Sequence, residues 1–268
     1  MHLIKAMTHN RQRDVRRTCV QALRAPFSQM TLVMLGKRLR DKDDEIRRQT
    51  YLKLARCKVG VESFPSREQR MLIIKEGLTD QSQGVREACM EFLRPSMTAD
   101  GVDENGAEKR VLISDLSYLF KLIDCKLLFV KEYYIQIPFI IMRFVFALAG
   151  ESDLVVAQYL ESLFTKLRAS AGLEDLPMPE EITFEEILFL RIAFEFSKLY
   201  RVDRSVEYIE HLEKLTPSFE DYSEIFQRLQ SSASRLVFSE WVKYSLQLAI
   251  EDEVTRRNLV SLMFTYIG

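Results

Sequence analysis

Histidine and cysteine residues are scarce in this chain of 268 residues, and this scarcity argues against several classes of protein. The three histidines and four cysteines are scattered, and no CxxC pair or other metal-ligand spacing occurs among them. No glycine-rich phosphate loop, GxSxG motif or HExxH motif is present either. The sequence therefore indicates no metal centre, no cofactor and no catalytic residues, and we expect a protein that is not an enzyme.

Long hydrophobic runs are also missing, although apolar residues make up 47% of the chain. The uncharged run within the most apolar segment, residues 133–142, is much shorter than the roughly 20 apolar residues that a membrane-spanning helix needs. Charged residues make up 29% of the chain, which is typical of a globular protein. We therefore expect a buried core and no membrane partner.

What the chain does contain is an internal repeat in its first third. Three times, an Asn or Asp is followed six residues later by an Arg and thirteen residues later by a Leu. The helix that precedes the second copy also matches the helix before the third copy, at an offset of 39 residues. Since a repeated helical unit buries its apolar face only by stacking on a copy, the pattern predicts an all-α solenoid of stacked antiparallel helical hairpins. The copies are Asn10, Val15, Arg16 and Leu23; Asp41, Ile46, Arg47 and Leu54; and Asp80, Val85, Arg86 and Leu93.

Charge and composition divide the chain into three parts. Residues 1–95 hold three basic repeats, the first of them truncated, with 20 Lys and Arg against 11 Asp and Glu. Residues 96–109 are acidic and contain two glycines, which predicts a flexible loop, and no strand is expected anywhere. Residues 110–268 are predicted to continue the solenoid as acidic, more irregular helical repeats. Because the first repeat lacks most of its first helix, we expect the chain to be a piece of a longer repeat protein.

The charged positions of the repeat have a structural interpretation. An Asp before the second helix of a hairpin can accept hydrogen bonds from free backbone N–H groups, and the following Arg can point along the stack to the next Asp. Direct contact of these residues with a ligand is the alternative interpretation. The expected ladder consists of Asp41, Asp80, Arg16, Arg47 and Arg86.

Basic residues outside the ladder are better candidates for binding a ligand. They exceed the nearby acids, and stacking of the hairpins would align them into one cationic strip. Contacts from such a strip to a phosphate backbone would show little sequence preference and steep salt dependence. An ordinary solvated helix surface is the alternative. The candidates are Arg11, Arg13, Arg17 and Arg24 around the first hairpin, Lys37, Arg38, Arg40, Lys42 and Arg48 around the second, and Lys58, Arg67, Arg70 and Lys75 around the third.

The hairpin pattern resembles HEAT repeats of the armadillo-like class, and the stretch at residues 39–93 resembles one family more closely. Its segments LRDKDDEIRRQTYLKLARCKV and REQRMLIIKEGLTDQSQGVREACMEFL are similar to the G-subunit family of condensin (CAP-G). The resemblance implies a non-catalytic HEAT subunit that holds double-stranded DNA in a basic groove together with the kleisin subunit CAP-H, in mitotic chromosome condensation. It also implies that the condensin ATPase subunits are indirect partners, and that the protein is found in the nucleus and on chromosomes, with a cytoplasmic pool.

Contacts with the kleisin are expected on the apolar middle helices, around Tyr133, Tyr134 and Phe139. Packing of these aromatic side chains in the core explains them at least as well. Two other functions remain open at this point. One is a HEAT scaffold that binds only proteins, as nuclear transport receptors and phosphatase scaffolds do, and the other is a related subunit of cohesin or condensin II.

Overall fold

The computed structural model describes residues 10–102, 108–123, 136–149, 153–173, 181–215, 219–232 and 235–248, and the single residues 257, 260, 261 and 264. The chain divides into two compact units, residues 1–148 and 149–268. Within the described ranges the structure is helical apart from one short β-hairpin, so the predicted all-α fold is confirmed. None of the helices described is long and apolar enough to cross a membrane.

Five helices build the hairpins at the start of the first unit. They are α1 (Arg13–Ala22), α2 (Gln29–Arg38), α3 (Asp44–Arg56), α4 (Arg67–Leu78) and α5 (Gln83–Met97). α2 pairs with α3 and α4 pairs with α5, while α1 takes the place of a second helix in the first hairpin. α3 packs between α1 and α5, and the repeat positions Ile46, Leu54, Val85 and Leu93 are fully buried. The apolar positions of the repeat therefore form the core.

Polar residues at the hairpin ends determine where these helices begin. Ser28, Asp43 and Ser66 cap α2, α3 and α4, because each side chain accepts a hydrogen bond from the backbone N–H three residues later. Each cap satisfies a backbone donor that has no partner inside the helix. Gln69 follows Ser66 at the spacing of a capping box, but its buried Oε1 has no hydrogen-bond partner, so only half of that motif forms.

The segment after α5 corrects the prediction that the chain contains no strand. Strands β1 (Thr98–Val102) and β2 (Glu108–Leu112) pair antiparallel, with Thr98 opposite Leu112. The acidic, glycine-containing composition disfavours a strand, but backbone hydrogen bonds between two short extended runs need no apolar pattern. Val102 and Thr98 are β-branched and suit the extended conformation. The first unit continues with α6 (Tyr118–Leu122), which packs on α4 and α5, and with α7 (Gln136–Ala149).

The second unit is organised around one buried helix. The described helices of this unit are α8 (Leu154–Ser170), α9 (Phe184–Leu199), α10 (Val206–Leu215), α11 (Phe219–Ser232) and α12 (Arg235–Leu248). The buried helix is α9, which packs against α8 and α12 and has most of its residues buried. Thr183 and Glu186 form a complete capping box at its start. α10 packs on α8, and α11 packs on α12.

Candidate nucleic-acid interface

Each hairpin of the first unit has two ends, which differ in their chemistry. We name the turn edge the set of ends where the second helices begin, at residues 10–12, 39–43 and 79–82 together with the adjoining turns of helix. The junction edge is the opposite set of ends, at residues 23–28, at residues 57–66 and at the end of α5. At 1.5 Å per residue, a second helix of this length holds the two edges about 15 to 20 Å apart.

Contacts at both edges show that α1 and α3 run in the same direction. Arg16, in the first turns of α1, bonds Asp41 just before α3 begins. Lys53, in the last turn of α3, donates from Nζ to the carbonyl oxygen of Gln21 near the end of α1, at 2.8 Å. The second helices therefore present their starts at the turn edge and their ends at the junction edge.

The first rung of the ladder joins α1 to the turn before α3. Arg16 donates from Nε and Nη2 to the two carboxylate oxygens of Asp41, at 2.9 Å each. Its Nη1 donates to the carbonyl oxygens of Asn10 and Arg11, at 3.2 and 3.0 Å. The side chains of Arg16 and Asp41 are only 5% and 3% exposed, so this bidentate pair is not accessible to a ligand.

The second rung repeats this geometry one hairpin further along. Arg47 donates from Nε and Nη2 to the carboxylate of Asp80, at 2.7 and 2.8 Å, and from Nη1 to the carbonyl oxygen of Asp41 at 2.8 Å. Arg86 donates from Nη1 to the carbonyl oxygens of Asp80 and Gln81, at 2.6 and 3.1 Å. Each ladder arginine thus binds the turn that precedes its own helix, and Arg16 and Arg47 also bind the aspartate of the next hairpin.

The ladder aspartates also stabilise their own turns. Asp41 accepts a hydrogen bond from the N–H of Asp43 at 3.1 Å, and Asp80 accepts one from the N–H of Ser82 at 2.9 Å. Burial favours the neutral acid and raises the pKa of both carboxyls, but hydrogen bonds from the arginines and from these N–H groups outweigh it, so each net pKa is lowered. Both aspartates are therefore charged at neutral pH.

Most candidate cations at the turn edge are bound by nearby carboxylates. An arginine that already has a carboxylate partner gains less from a phosphate, because one ion pair is exchanged for another. Arg11, Lys37 and Lys42 are exposed and make no ion pair among the described residues. The pairs are Arg13 with Asp43 and Arg40 with Glu76 at 2.9 Å, Arg38 with Asp41 at 2.6 Å, Arg17 with Asp14 at 3.4 Å and Arg48 with Glu45 at 3.5 Å.

Four other candidates, Arg24, Lys58, Arg67 and Arg70, lie at the junction edge. Arg70 donates from Nε to the carbonyl oxygen of Phe64 at 3.1 Å, and Arg67 also interacts with a neighbouring group. Arg24 and Lys58 are exposed and make no ion pair with any residue that the structure describes. The candidates therefore lie along two edges and do not form the single strip expected from the sequence, because a helix length separates them.

Sequence reasoning missed two exposed cations at the junction edge, Arg56 and Arg94. Both lie in the last turn of a second helix, of α3 and α5 respectively. Basic residues are favourable there because they face the negative end of the helix dipole, so the predicted helix ends could have pointed to them. The remaining candidate, Lys75, lies in the last turn of α4 and interacts with a neighbouring group.

Buried charges in the second unit serve its own packing. Arg191 of α9 donates from Nε to Glu240 of α12 at 2.7 Å, and Lys243 donates to the other carboxylate oxygen of Glu240 at 2.6 Å. The side chain of Glu240 is fully buried. Asp153 accepts hydrogen bonds from the N–H and the hydroxyl of Ser205, at 3.0 and 2.6 Å. The buried charges of Arg191, Glu240 and Asp153 hold helices together and are not available to a partner.

The expected kleisin contacts fall only partly within the described residues. Tyr133 and Tyr134 lie outside them. Phe139 lies in α7, is partly buried and interacts with a neighbouring group. Its role in binding a kleisin therefore stays a prediction. In the described part of the chain no cluster of His, Cys, Asp and Glu could hold a metal ion.

Comparison with known proteins shows similarity to a solved structure. No family model matches the sequence, and no curated protein is significantly similar to it. The fold is similar to the crystal structure of the S. pombe condensin Cnd3-Cnd2 subcomplex, with a TM-score of 0.58 and 17% sequence identity. The match covers 98% of this chain and 30% of that chain, so this chain spans less than a third of its structural neighbour. The similarity shows a condensin-like HEAT fold.

Proposed function

We propose that this chain belongs to a condensin-related HEAT subunit that binds double-stranded DNA without reading its sequence, in mitotic chromosome condensation. Its fold is similar to a chain of a condensin subcomplex over nearly its whole length, which supports the condensin relationship. The observation that carries DNA binding is the set of exposed cations at the hairpin ends of the first unit. Such cations attract phosphates of any sequence, because the charge of the backbone does not depend on the bases.

The proposed assembly includes a kleisin subunit of the CAP-H type. The structural neighbour was crystallised as a Cnd3-Cnd2 subcomplex, and by analogy we assign to this chain a partner of the same kind. ATP hydrolysis would belong to the ATPase subunits of the assembly, and the site of action would be the nucleus and the chromosomes, with a cytoplasmic pool. The kleisin part of the proposal is tested by titrating overlapping kleisin peptides into the full chain and measuring heat release.

The DNA part is tested by fluorescence anisotropy of the full chain with labelled duplexes of unrelated sequence. About six phosphate contacts would lower the affinity on the order of a thousandfold between about 50 and 200 mM salt. We expect this steep dependence and equal affinity for the different duplexes. Strong preference for one sequence, or an affinity insensitive to salt, would contradict contacts to the phosphate backbone.

A scaffold that binds only proteins is the second candidate function. The five turn-edge arginines that are paired with carboxylates favour it, because they are already neutralised. This function predicts no duplex binding even at low salt, together with retained binding of a kleisin or another protein partner. The anisotropy measurement at the lower salt concentration therefore distinguishes the two candidates.

A further inference from the structure

We propose that the junction edge, and not the turn edge, provides the main phosphate contacts of the first unit. This inference rests on the proposed DNA binding and identifies the residues that carry it. They are Arg24, Arg56, Lys58 and Arg94.

The first argument is the availability of the cations. All four residues are exposed, and none of them makes an ion pair with another described residue. At the turn edge, by contrast, five of the candidate arginines are bound to carboxylates, and Lys42 stands between Asp41 and Asp43 in the chain. Phosphates that approach the turn edge would meet these carboxylates as well as the unpaired Arg11, Lys37 and Lys42, whereas the four cations chosen at the junction edge have no carboxylate partner among the described residues.

The second argument is the backbone conformation of Lys58. Its φ is 50°, in the left-handed region that non-glycine residues seldom adopt. Lys58 lies two residues after the end of α3. Its N–H donates to the carbonyl oxygen of Ala55 at 2.9 Å, and the N–H of Val59 donates to the carbonyl oxygen of Leu54 at 3.0 Å. Glycine is the usual residue at this position because it adopts the conformation without strain. A lysine here costs stability, and a binding role of its side chain would account for a lysine at a position that favours glycine.

The third argument is the shape of the surface around Lys58. Two recesses, of about 570 and 450 Å³, meet at this residue. Their walls contain apolar groups such as Pro95 and Phe27, which concentrate the field of a nearby charge. Glu62 also lines the larger recess, so the cationic character of the edge depends on the excess of basic residues around it.

The fourth argument is the spacing of the residues. Arg24 follows α1, Lys58 follows α3 and Arg94 lies at the end of α5, so the three cations come from consecutive packed helices. Packed helices are about 8 to 10 Å apart, which gives a row of about 20 Å. A row of this length passes the phosphates of roughly half a turn of B-form DNA.

Two matched triple variants of the full chain test the inference. One carries Arg24→Gln, Arg56→Gln and Lys58→Gln at the junction edge. The other carries Arg11→Gln, Arg40→Gln and Lys42→Gln at the turn edge. Each variant loses two arginines and one lysine, so the change in net charge is identical. Duplex affinity is measured by anisotropy at several salt concentrations, and circular dichroism shows that both variants are folded.

We expect the junction-edge variant to lose duplex affinity on the order of tenfold or more, with the slope of log affinity against log salt reduced by about 3. The turn-edge variant should change much less. An equal or larger loss in the turn-edge variant, or no loss in either one, overturns the inference while leaving DNA binding itself intact. A wild-type chain that binds no duplex contradicts the proposed function instead.

A single variant, Lys58→Gly, separates binding from folding. Because glycine relieves the left-handed conformation, we expect a higher midpoint of thermal unfolding together with weaker duplex binding. A higher midpoint with unchanged duplex affinity would mean that Lys58 only ends the helix, and that result overturns its assignment as a phosphate contact.

Discussion

The two units of this chain both bury arginine side chains against carboxylates, but they do so in different ways. In the first unit the pair of Arg16 with Asp41 recurs one hairpin later as Arg47 with Asp80, with the same atoms in contact. In the second unit the pair of Arg191 with Glu240 joins α9 to α12 across 49 positions of the chain. A recurring contact spreads stability over equivalent interfaces, whereas a single buried contact concentrates it on one helix.

Breaking the first rung should have the largest effect on stability and tests this comparison most directly. Asp41→Asn leaves the buried guanidinium of Arg16 without its counter-charge, so we expect the free energy of unfolding to fall by about 3 kcal/mol or more. Glu240→Gln should cause a smaller loss, because the equally buried Arg191 keeps Glu195 as a second carboxylate partner at 3.1 Å. Denaturant unfolding measures the two losses. Hydrogen exchange measured by mass spectrometry shows whether each one is confined to its own unit.

Arg86→Ala is the matched control within the ladder. Arg86 contacts only backbone carbonyl oxygens among its described hydrogen bonds, and its removal leaves no buried charge unpaired, so it should cost about 1 to 2 kcal/mol. A loss as large as that of Asp41→Asn would show that the buried charge pair is not what distinguishes the first rung. It would also weaken the contrast between repeated and single contacts.

The constant spacing of the repeat explains why much of the first unit could be predicted. Since Arg16 and Arg47 each stand six residues after an Asn or Asp, one stacking rule places both of them against the next aspartate. The same rule identifies Ile46 and Leu54 as core positions, and both are fully buried. Periodicity alone was sufficient for these predictions because every contact they involve is copied along the chain.

The features that could not be predicted depend on contacts without a copy. Arg13 and Arg40 are paired with Asp43 and Glu76 on neighbouring hairpins, and no local spacing shows which acid a given arginine reaches. The split of the cations into two edges has the same origin, since it depends on the direction of the packed helices. The strand at residues 98–102 lies in a segment whose composition predicted a loop, and the strand at residues 108–112 runs from that segment into one predicted to be helical. The packing of α9 on α12 follows no repeat spacing of the kind found in the first unit.

A glycine substitution tests whether the regular stack depends on the ladder alone. A Cβ at Gly77 of α4 would clash with Cys89 Sγ and with the hydroxyl of Tyr51, which donates to the carbonyl oxygen of Ile73 at 2.7 Å. We therefore expect Gly77→Ala to lower the free energy of unfolding by about 1 to 3 kcal/mol without touching any rung.

Gly36→Ala is the control for this substitution. A Cβ at Gly36 of α2 would meet Phe64 at 3.8 Å, an ordinary contact, so alanine should be neutral or stabilise α2 by up to about 1 kcal/mol. Helix propensity favours alanine over glycine at both positions, so an equal loss of stability in the two variants would need another explanation. The close packing of α4 on α3 and α5 would then not be the cause.

Mild acid should have the smallest effect and should act on the ladder. The pKa of Asp41 and that of Asp80 are lowered in the folded chain, so their stabilisation is complete above the pKa of an unfolded aspartate and is lost as pH falls toward the folded values. We expect stability to be flat above about pH 5 and to decline below it. In Asp41→Asn the unfolding midpoint should decline less steeply with falling pH than in the wild-type chain. An unchanged slope of midpoint against pH would show that Asp41 does not cause the decline.

The arginine contacts to carbonyl oxygens six residues earlier have an evolutionary consequence. Arg16 reaches Asn10, Arg47 reaches Asp41 and Arg86 reaches Asp80, so one inserted or deleted residue in a turn would misplace both arms of the guanidinium. The connections between hairpins have no contact that fixes their length, and successive copies of the repeat are 31 and 39 residues apart. Length variation among related chains should therefore accumulate where one hairpin passes to the next, which leaves the binding surface free to diverge while the scaffold stays in register.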